Sequence, residues 1–404
     1  YCAALARHPD VELEIADWAS HPHPGAPGYD PRSPEGRYAH LDARVRSTWP
    51  HAGDRRPDVE IRHGSPRLLA AMVEHEPFTA GLTVAMTTWE TARLPLEYQQ
   101  PLVQHDRIVV PSRFCADAIK WQGKGTGIGA KVSVVPHTFD PAFWDPALVP
   151  ARDPGSPVRF YSVGAWSERK NPDGVLRAFM HAFITHDAED IAALADEPAQ
   201  MGLTIAGGPT VDYAAARSLL VRAGAGLLPP ISITHRPMSE TALRELHGNS
   251  DVFVTATRAE GWGLGLFEAL VMDKVIITPL YGGHADFLDV GAPDRGPASI
   301  ADATLAVVPH MLTPVFGGRG QPVIRHGEIV GESAVSHLPG ATCADLWAEP
   351  DLAHMARAMR DAVNIVRARP ASSPVRAARR ARLVARYGYD RIAADLVALL
   401  KETP

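Results

Sequence analysis

The sequence predicts an α/β protein of two doubly wound domains. Three observations carry this reading. Short apolar runs bounded by turns alternate with helical periodicities along both halves, the pattern of buried parallel strands joined by crossover helices. A proline-dense stretch, with Pro141, Pro146, Pro150, Pro154 and Pro157, divides the two series, because proline at that density blocks both helix and ladder. The 404 residues, 46% of them hydrophobic, suffice for two cores of roughly 150–200 residues each.

The chain opens on Tyr1-Cys2-Ala3-Ala4-Leu5-Ala6, which reads as mid-helix, and a strand over Val11–Ala16 follows. An α/β domain ordinarily starts with a strand and a tight turn, so both are expected ahead of Tyr1. His21–Pro34, rich in His, Pro and Gly without periodicity, reads as a surface loop, either a plain connection or part of a ligand site. Strands over Val59–Ile61, Leu82–Met86, Arg107–Val110 and Val132–Val135 complete the first series. Beyond the linker come strand Arg159–Val163, helix Pro172–Thr185, strand Gly202–Ala206, helix Tyr213–Gly224 and strand Ile231–Thr234. Helix Ser239–Asn249, strand Val252–Ala256, helix Leu264–Met272 and strand Val275–Pro279 follow, then closing helices Ala353–Arg367 and Ala377–Lys401. This divides the chain into Rossmann-like domains at 1–148 and 149–375, with residues 376–404 a final helix expected to pack back on the first domain. Such sheets bind ligands at the carboxyl ends of their strands.

A net charge of −6 supplies no global field that would draw a duplex or an anionic membrane. Cys2, Cys115 and Cys343 share no motif spacing and read as reduced thiols, which with the absence of a leader-like run predicts a cytoplasmic protein. No apolar run approaches the ~20 residues of a spanning helix. Eight arginines between Arg367 and Arg391 stand against one acid, Asp390; they read as a solvated helix face or as a patch for nucleic acid or lipid.

The chemistry concentrates in Glu260-Gly261-Trp262-Gly263-Leu264-Gly265-Leu266-Phe267-Glu268. This segment follows an apolar strand and opens a helix. Its glycines let the backbone approach a ligand closely, and the N–H groups of Leu264, Gly265 and Leu266 at the helix start favour phosphate. Glu260 and Glu268 bracket that cradle, which suits hydroxyls on the groups either side of a diphosphate. Upstream, strand Arg159–Val163 ends in Gly164, and Arg169-Lys170 sits just before a helix with Pro172 near its first position. A lysine there reaches a diphosphate as a point charge.

These residues, with Val110-Pro111-Ser112-Arg113-Phe114, Val135-Pro136-His137-Thr138-Phe139-Asp140, Val163-Gly164-Ala165-Trp166-Ser167-Glu168-Arg169-Lys170-Asn171 and Thr204-Ile205-Ala206-Gly207-Gly208 in order, resemble the retaining glycosyltransferases with the Glu–seven residues–Glu motif, the group known as glycosyltransferase family 4. The resemblance runs roughly from Asp58 to Glu349. It implies a GT-B fold, an acceptor-binding first domain, a donor-binding second domain, and transfer from a nucleotide-diphosphate sugar with retention at the anomeric carbon. It implies no cofactor and no metal; the UDP-, GDP- or ADP-linked sugar is a co-substrate. The acceptor, a small molecule, glycan, protein or modified nucleic-acid base, is left open. The resemblance also places Lys170, Arg169 and Glu260 at the reacting centre, Glu268 at the ribose, and Gly164, Arg236, Gly263, Leu264, Gly265, Leu266, Gly282 and Gly283 around the donor.

The chain departs from that pattern in three places. Ala165 stands where an arginine usually follows the glycine, so either Arg169 takes the second cationic role or one phosphate contact is lost. His137-Thr138 replaces the frequent Asn-Gly. The turn after the strand Leu82–Met86 reads Thr87-Thr88-Trp89-Glu90-Thr91 instead of carrying a histidine. There Glu90 either orients an acceptor hydroxyl or serves as a helix-start carboxylate. His63 and His137 are further acceptor-side candidates. An epimerase of the same fold and a non-catalytic sugar-nucleotide-binding protein remain the competing readings.

Overall fold

The computed structural model describes residues 1–13, 56–122, 127–150, 153, 155–183, 201–206, 230–234, 238–288, 305–315, 321–325, 328–333 and 345–402. The loop His21–Pro34, the helix expected at Tyr213–Gly224 and Arg236 lie outside these residues. So does most of the strand expected at Val11–Ala16; its described part, Val11–Leu13, is not in a strand.

After the short helix α1 (Cys2–Leu5), the first domain runs β1 (Val59–His63), α2 (Pro66–His75), β2 (Leu82–Met86), α3 (Leu96–Val103), β3 (Arg107–Val110), α4 (Arg113–Gln122) and β4 (Val132–Val134). The strands form a parallel sheet in the order β1-β2-β3-β4. Successive side chains point to opposite faces of a strand. Val84, Met86 and Val109 accordingly enter one core, Ala85, Ile108 and Val110 the other.

The second domain comprises β5 (Val158–Val163), α5 (Pro172–Phe183), β6 (Met201–Ala206), β7 (Ile231–Thr234), α6 (Glu240–Gly248), β8 (Val252–Val254), α7 (Leu264–Val271), β9 (Val275–Pro279), α8 (Ala285–Leu288) and β10 (Leu305–Val308). Its six strands are parallel in the order β10-β9-β8-β5-β6-β7. The order reverses between β5 and β8, and ligands of doubly wound sheets sit at that switch point. One face packs Phe160, Val252 and Ile277 against α5 and against α9 (Leu352–Ala368). The other packs Tyr161, Phe253 and Ile276 against α7.

Between β10 and α9 lies an antiparallel excursion absent from the sequence reading: β11 (His310–Val315), β12 (Gln321–Arg325), β13 (Glu328–Ser333) and β14 (Asp345–Pro350), pairing β11 with β14 and β12 with β13. Pro314, Pro322 and Pro350 fall within these strands. Proline argues against a strand from sequence, yet two-stranded ribbons tolerate it at their open edges.

The single helix expected over Ala377–Lys401 is two, α10 (Pro374–Tyr387) and α11 (Tyr389–Lys401), divided at Gly388 with φ −64° and ψ 158°. The Tyr387 carbonyl accepts instead from Thr138 Oγ1 (2.7 Å) and Phe139 N (3.2 Å). α10 adds Leu383 and Tyr387 to the second domain's core, and α11 adds Ile392, Leu396 and Val397 to the first. Neither reading of the arginine run survives for its inward members. Arg369, Arg376 and Arg379 converge on Asp273 at 3.1, 3.0 and 3.5 Å. Arg380 donates to the carbonyls of Pro141, Trp144 and Val271, clamping the proline-rich linker to the end of α7.

Candidate active site

Two turns meet at the switch point. The turn after β5 carries Arg169 and Lys170; the segment after β8 carries Glu260. They are tied backbone to backbone, Arg258 N donating to Arg169 O at 2.8 Å. Asn171 holds a left-handed φ of 51°, which Asn tolerates. Its amide donates to Ala256 O (3.2 Å) and its carbonyl accepts from Gly174 N (3.1 Å), so one side chain caps α5 and anchors the neighbouring turn.

Glu260 is almost fully buried and accepts from Lys170 Nζ at 2.5 Å, Arg169 Nη1 at 3.3 Å and Thr257 Oγ1 at 3.0 Å. Burial pushes its carboxyl up, but Lys170 and Arg169 together outweigh burial and hold it down at about 2. Arg169 also reaches Glu90 of the first domain, 3.3 Å from Oε1, and donates to Ala259 O at 2.7 Å. Arg169 therefore stands between two carboxylates, one from each domain. The Lys170 stem runs along Gly164, which a Cβ there would meet 3.5 Å from Lys170 Cδ.

The sign of the pH dependence follows from Glu260. A carboxyl whose folded pKa is depressed contributes stability above its unfolded value of about 4.5, and that contribution fades as pH falls toward 2. Burial lowers His137 to about 3, so the folded state also resists protonating it below pH ~6.5. Melting temperature should decline between pH 6.5 and 4.5 and fall more steeply below 4.5. A Glu260→Gln variant should lose the steeper limb, and an unchanged acid limb would count against the Glu260 contribution.

Gly263, at φ 92°, opens α7. The N–H groups of Leu264, Gly265 and Leu266 precede the first intrahelical bond, which Phe267 N makes to Gly263 O. Gly265 lies against Val163, at the end of β5. Gly282, at φ 121°, and Gly283 pack beneath Glu260: Gly283 N donates to Glu260 O at 2.7 Å, and a Cβ on Gly282 would stand 2.5 Å from that oxygen.

Glu268 is not in this ion-pair cluster. It lies further along α7, its Oε2 3.4 Å from His247 Nε2. His137 packs edge-on against Trp262, ring centroids 5.9 Å apart. His63 ends β1, exposed, near enough to His137 for their charges to oppose.

Sequence reasoning missed the seam between the domains. The Gly261 carbonyl accepts from Ser112 Oγ (2.7 Å) and Cys115 Sγ (3.4 Å). Asp286 accepts from the Arg113 N–H (2.7 Å) at the start of α4 and pairs with its guanidinium (3.2 Å). Phe114 meets Tyr281 edge to face. Ser112 and Arg113 lie in a motif quoted above, but nothing in that motif points to the Gly261 turn.

No family model and no curated protein matches the chain. Solved structures do resemble it. A UDP-forming α,α-trehalose-phosphate synthase from Burkholderia xenovorans aligns with 86% of this chain and 74% of its own, at TM-score 0.54 and 14% identity. HepE from Anabaena, solved with UDP and glucose, aligns over 86% and 78%, at 0.50 and 14%. S. aureus TarM, solved with fondaparinux, α-GlcNAc-glycerol and UDP, aligns over 85% and 55%, at 0.53 and 10%. Likeness at these identities is likeness of fold: the chain has the GT-B architecture, two Rossmann-like domains facing across a cleft. No helix among the described residues is long and apolar enough to cross a membrane.

Proposed function

We propose that the chain is a retaining glycosyltransferase that moves a sugar from a nucleoside-diphosphate donor to an acceptor hydroxyl. The observation that carries this reading is the cluster of Lys170, Arg169 and Glu260 at the switch point, beside the start of α7 and opposite Glu90. The Glu260 carboxylate pairs with both cations. A diphosphate brings the anion these cations are placed to meet, and Glu260 meets the hydroxyls of the transferred sugar. The glycosidic C1–O bond to the diphosphate breaks while a C1–O bond to the acceptor forms on the same face. The acceptor proton passes to the departing phosphate oxygen. Lys170, Arg169 and the α7 N–H groups stabilise the charge that builds on the diphosphate; fixed donors of this kind are usually the largest catalytic contribution. Glu90 orients the acceptor hydroxyl, and Glu268 meets the ribose.

UDP is the first donor nucleotide to try, since it is bound in the HepE and TarM structures and named for the synthase. Mass spectrometry of products from a panel of UDP-, GDP- and ADP-sugars tests the proposal. Transfer to an acceptor or to water supports it; epimerised donor alone refutes it. Because side chains and a helix terminus supply the positive charge, turnover should be unaffected by EDTA. Activity abolished by EDTA and restored by a divalent ion would overturn the metal-independent mechanism.

A further inference from the structure

Tyr161 on β5 and His247 near the end of α6 are both fully buried. Tyr161 Oη lies 2.6 Å from His247 Nδ1, and His247 Nε2 lies 3.4 Å from Glu268 Oε2. We infer that Tyr161 and His247 are positioning residues for nucleotide recognition, acting through Glu268. The inference rests on the donor-binding role proposed for this cleft.

The direction of each hydrogen bond follows from chemistry. Burial first, then the charges of Glu268 and Asp251, pushes the Tyr161 phenol far above its usual range, so it keeps its proton. A fully buried O–H needs an acceptor, and among the described residues the one within reach is His247 Nδ1, so the proton is donated to the Nδ1 lone pair. The ring hydrogen then sits on Nε2, where it is donated to Glu268. Which nitrogen carries the hydrogen is thus set by the tyrosine, as the partner of one ring nitrogen sets the role of the other. The ring itself is held by Trp144, Tyr161 and Phe253, with centroids 5.7, 5.3 and 6.4 Å away. A glutamate otherwise samples many rotamers and loses that freedom on binding a ligand. Here one carboxylate oxygen is fixed from inside the protein. The Glu268 side chain remains 20% exposed, so the carboxylate is presented toward ligand already oriented, which is how pre-organisation strengthens binding.

Calorimetry with UDP, GDP and ADP on wild type, Tyr161→Phe, Glu268→Gln and the double variant tests this. Tyr161→Phe removes one oxygen atom and should weaken the preferred nucleotide about three- to tenfold, the worth of one hydrogen bond. In the Glu268→Gln background it should add almost nothing, because the two act in series. A tyrosine that only supports the fold would lower the melting temperature without this coupling. Additive losses, or unchanged affinity in Tyr161→Phe, overturn the inference while leaving the donor reading intact. Should wild type bind none of the three nucleotides, the donor reading falls and this inference falls with it. If Tyr161→Phe does not fold, long-range nitrogen–proton NMR on wild type decides: hydrogen on His247 Nε2 supports the relay, and hydrogen on Nδ1 overturns it.

Discussion

Replacing Lys170 with alanine should lower turnover about a hundredfold, the effect of removing one charged donor worth about 3 kcal/mol to a developing oxyanion. The fold should survive. Glu260 loses its shortest contact but keeps the Arg169 guanidinium and the Thr257 hydroxyl, so it is not left as an uncompensated buried charge, the situation that makes broken pairs costly. The loss should therefore appear in kcat, with a melting temperature only a few degrees lower. Steady-state kinetics beside a thermal melt separates the two effects. Turnover near that of wild type would remove Lys170 from the reacting centre, and a collapse in melting temperature would make it a structural residue first.

Gly283→Ala should destabilise the protein by about 3 kcal/mol, the upper range for forcing a methyl into a packed interior. A Cβ at this position would overlap the Gly261 carbonyl and lie 2.7 Å from Ser112 Oγ. Gly283 and Gly261 belong to the same domain, so relief has to come from twisting the Glu260–Gly261 turn, and that displaces the carbonyl on which the first domain's hydroxyl and thiol dock. The distortion disturbs the cleft, and activity should fall with stability. Gly81→Ala is the matched control, since nothing lies within 4 Å of a Cβ there. Chemical denaturation of both variants checks this; Gly283→Ala unfolding at the wild-type midpoint would mean that the seam yields freely.

Local pattern determined much of the fold. Leu82–Met86, Arg107–Val110 and Val275–Pro279 are mainly apolar runs between turns, and the structure draws those strands with the same bounds. What local pattern does not reach is decided by distant partners. The helix break at Gly388 depends on Thr138 and Phe139, far upstream. The inward arginines find Asp273 and the linker carbonyls only once α10 is docked. The site divides the same way. Lys170 and Glu260 each follow a strand end in sequence, and strand order alone brings such ends together. That Arg169 is shared by carboxylates of both domains depends on the domains being in place. His247 carries no local signal in the sequence; its contacts to Tyr161 and Glu268 come from packing.

The route of the last two helices bears on how the protein is made. One face of the first sheet, with Val84, Met86, Val109 and Val135, is covered by α11. During synthesis that apolar face emerges long before residues 389–401 exist, and the entire second domain is translated in between. At roughly 5–20 residues per second the interval lasts on the order of tens of seconds. That face of the first domain is thus born with only Leu5 and its neighbours against it and completed after the second domain is made, so nascent chains stalled within the second domain should bind chaperones that recognise exposed hydrophobic surface and release them once α11 emerges.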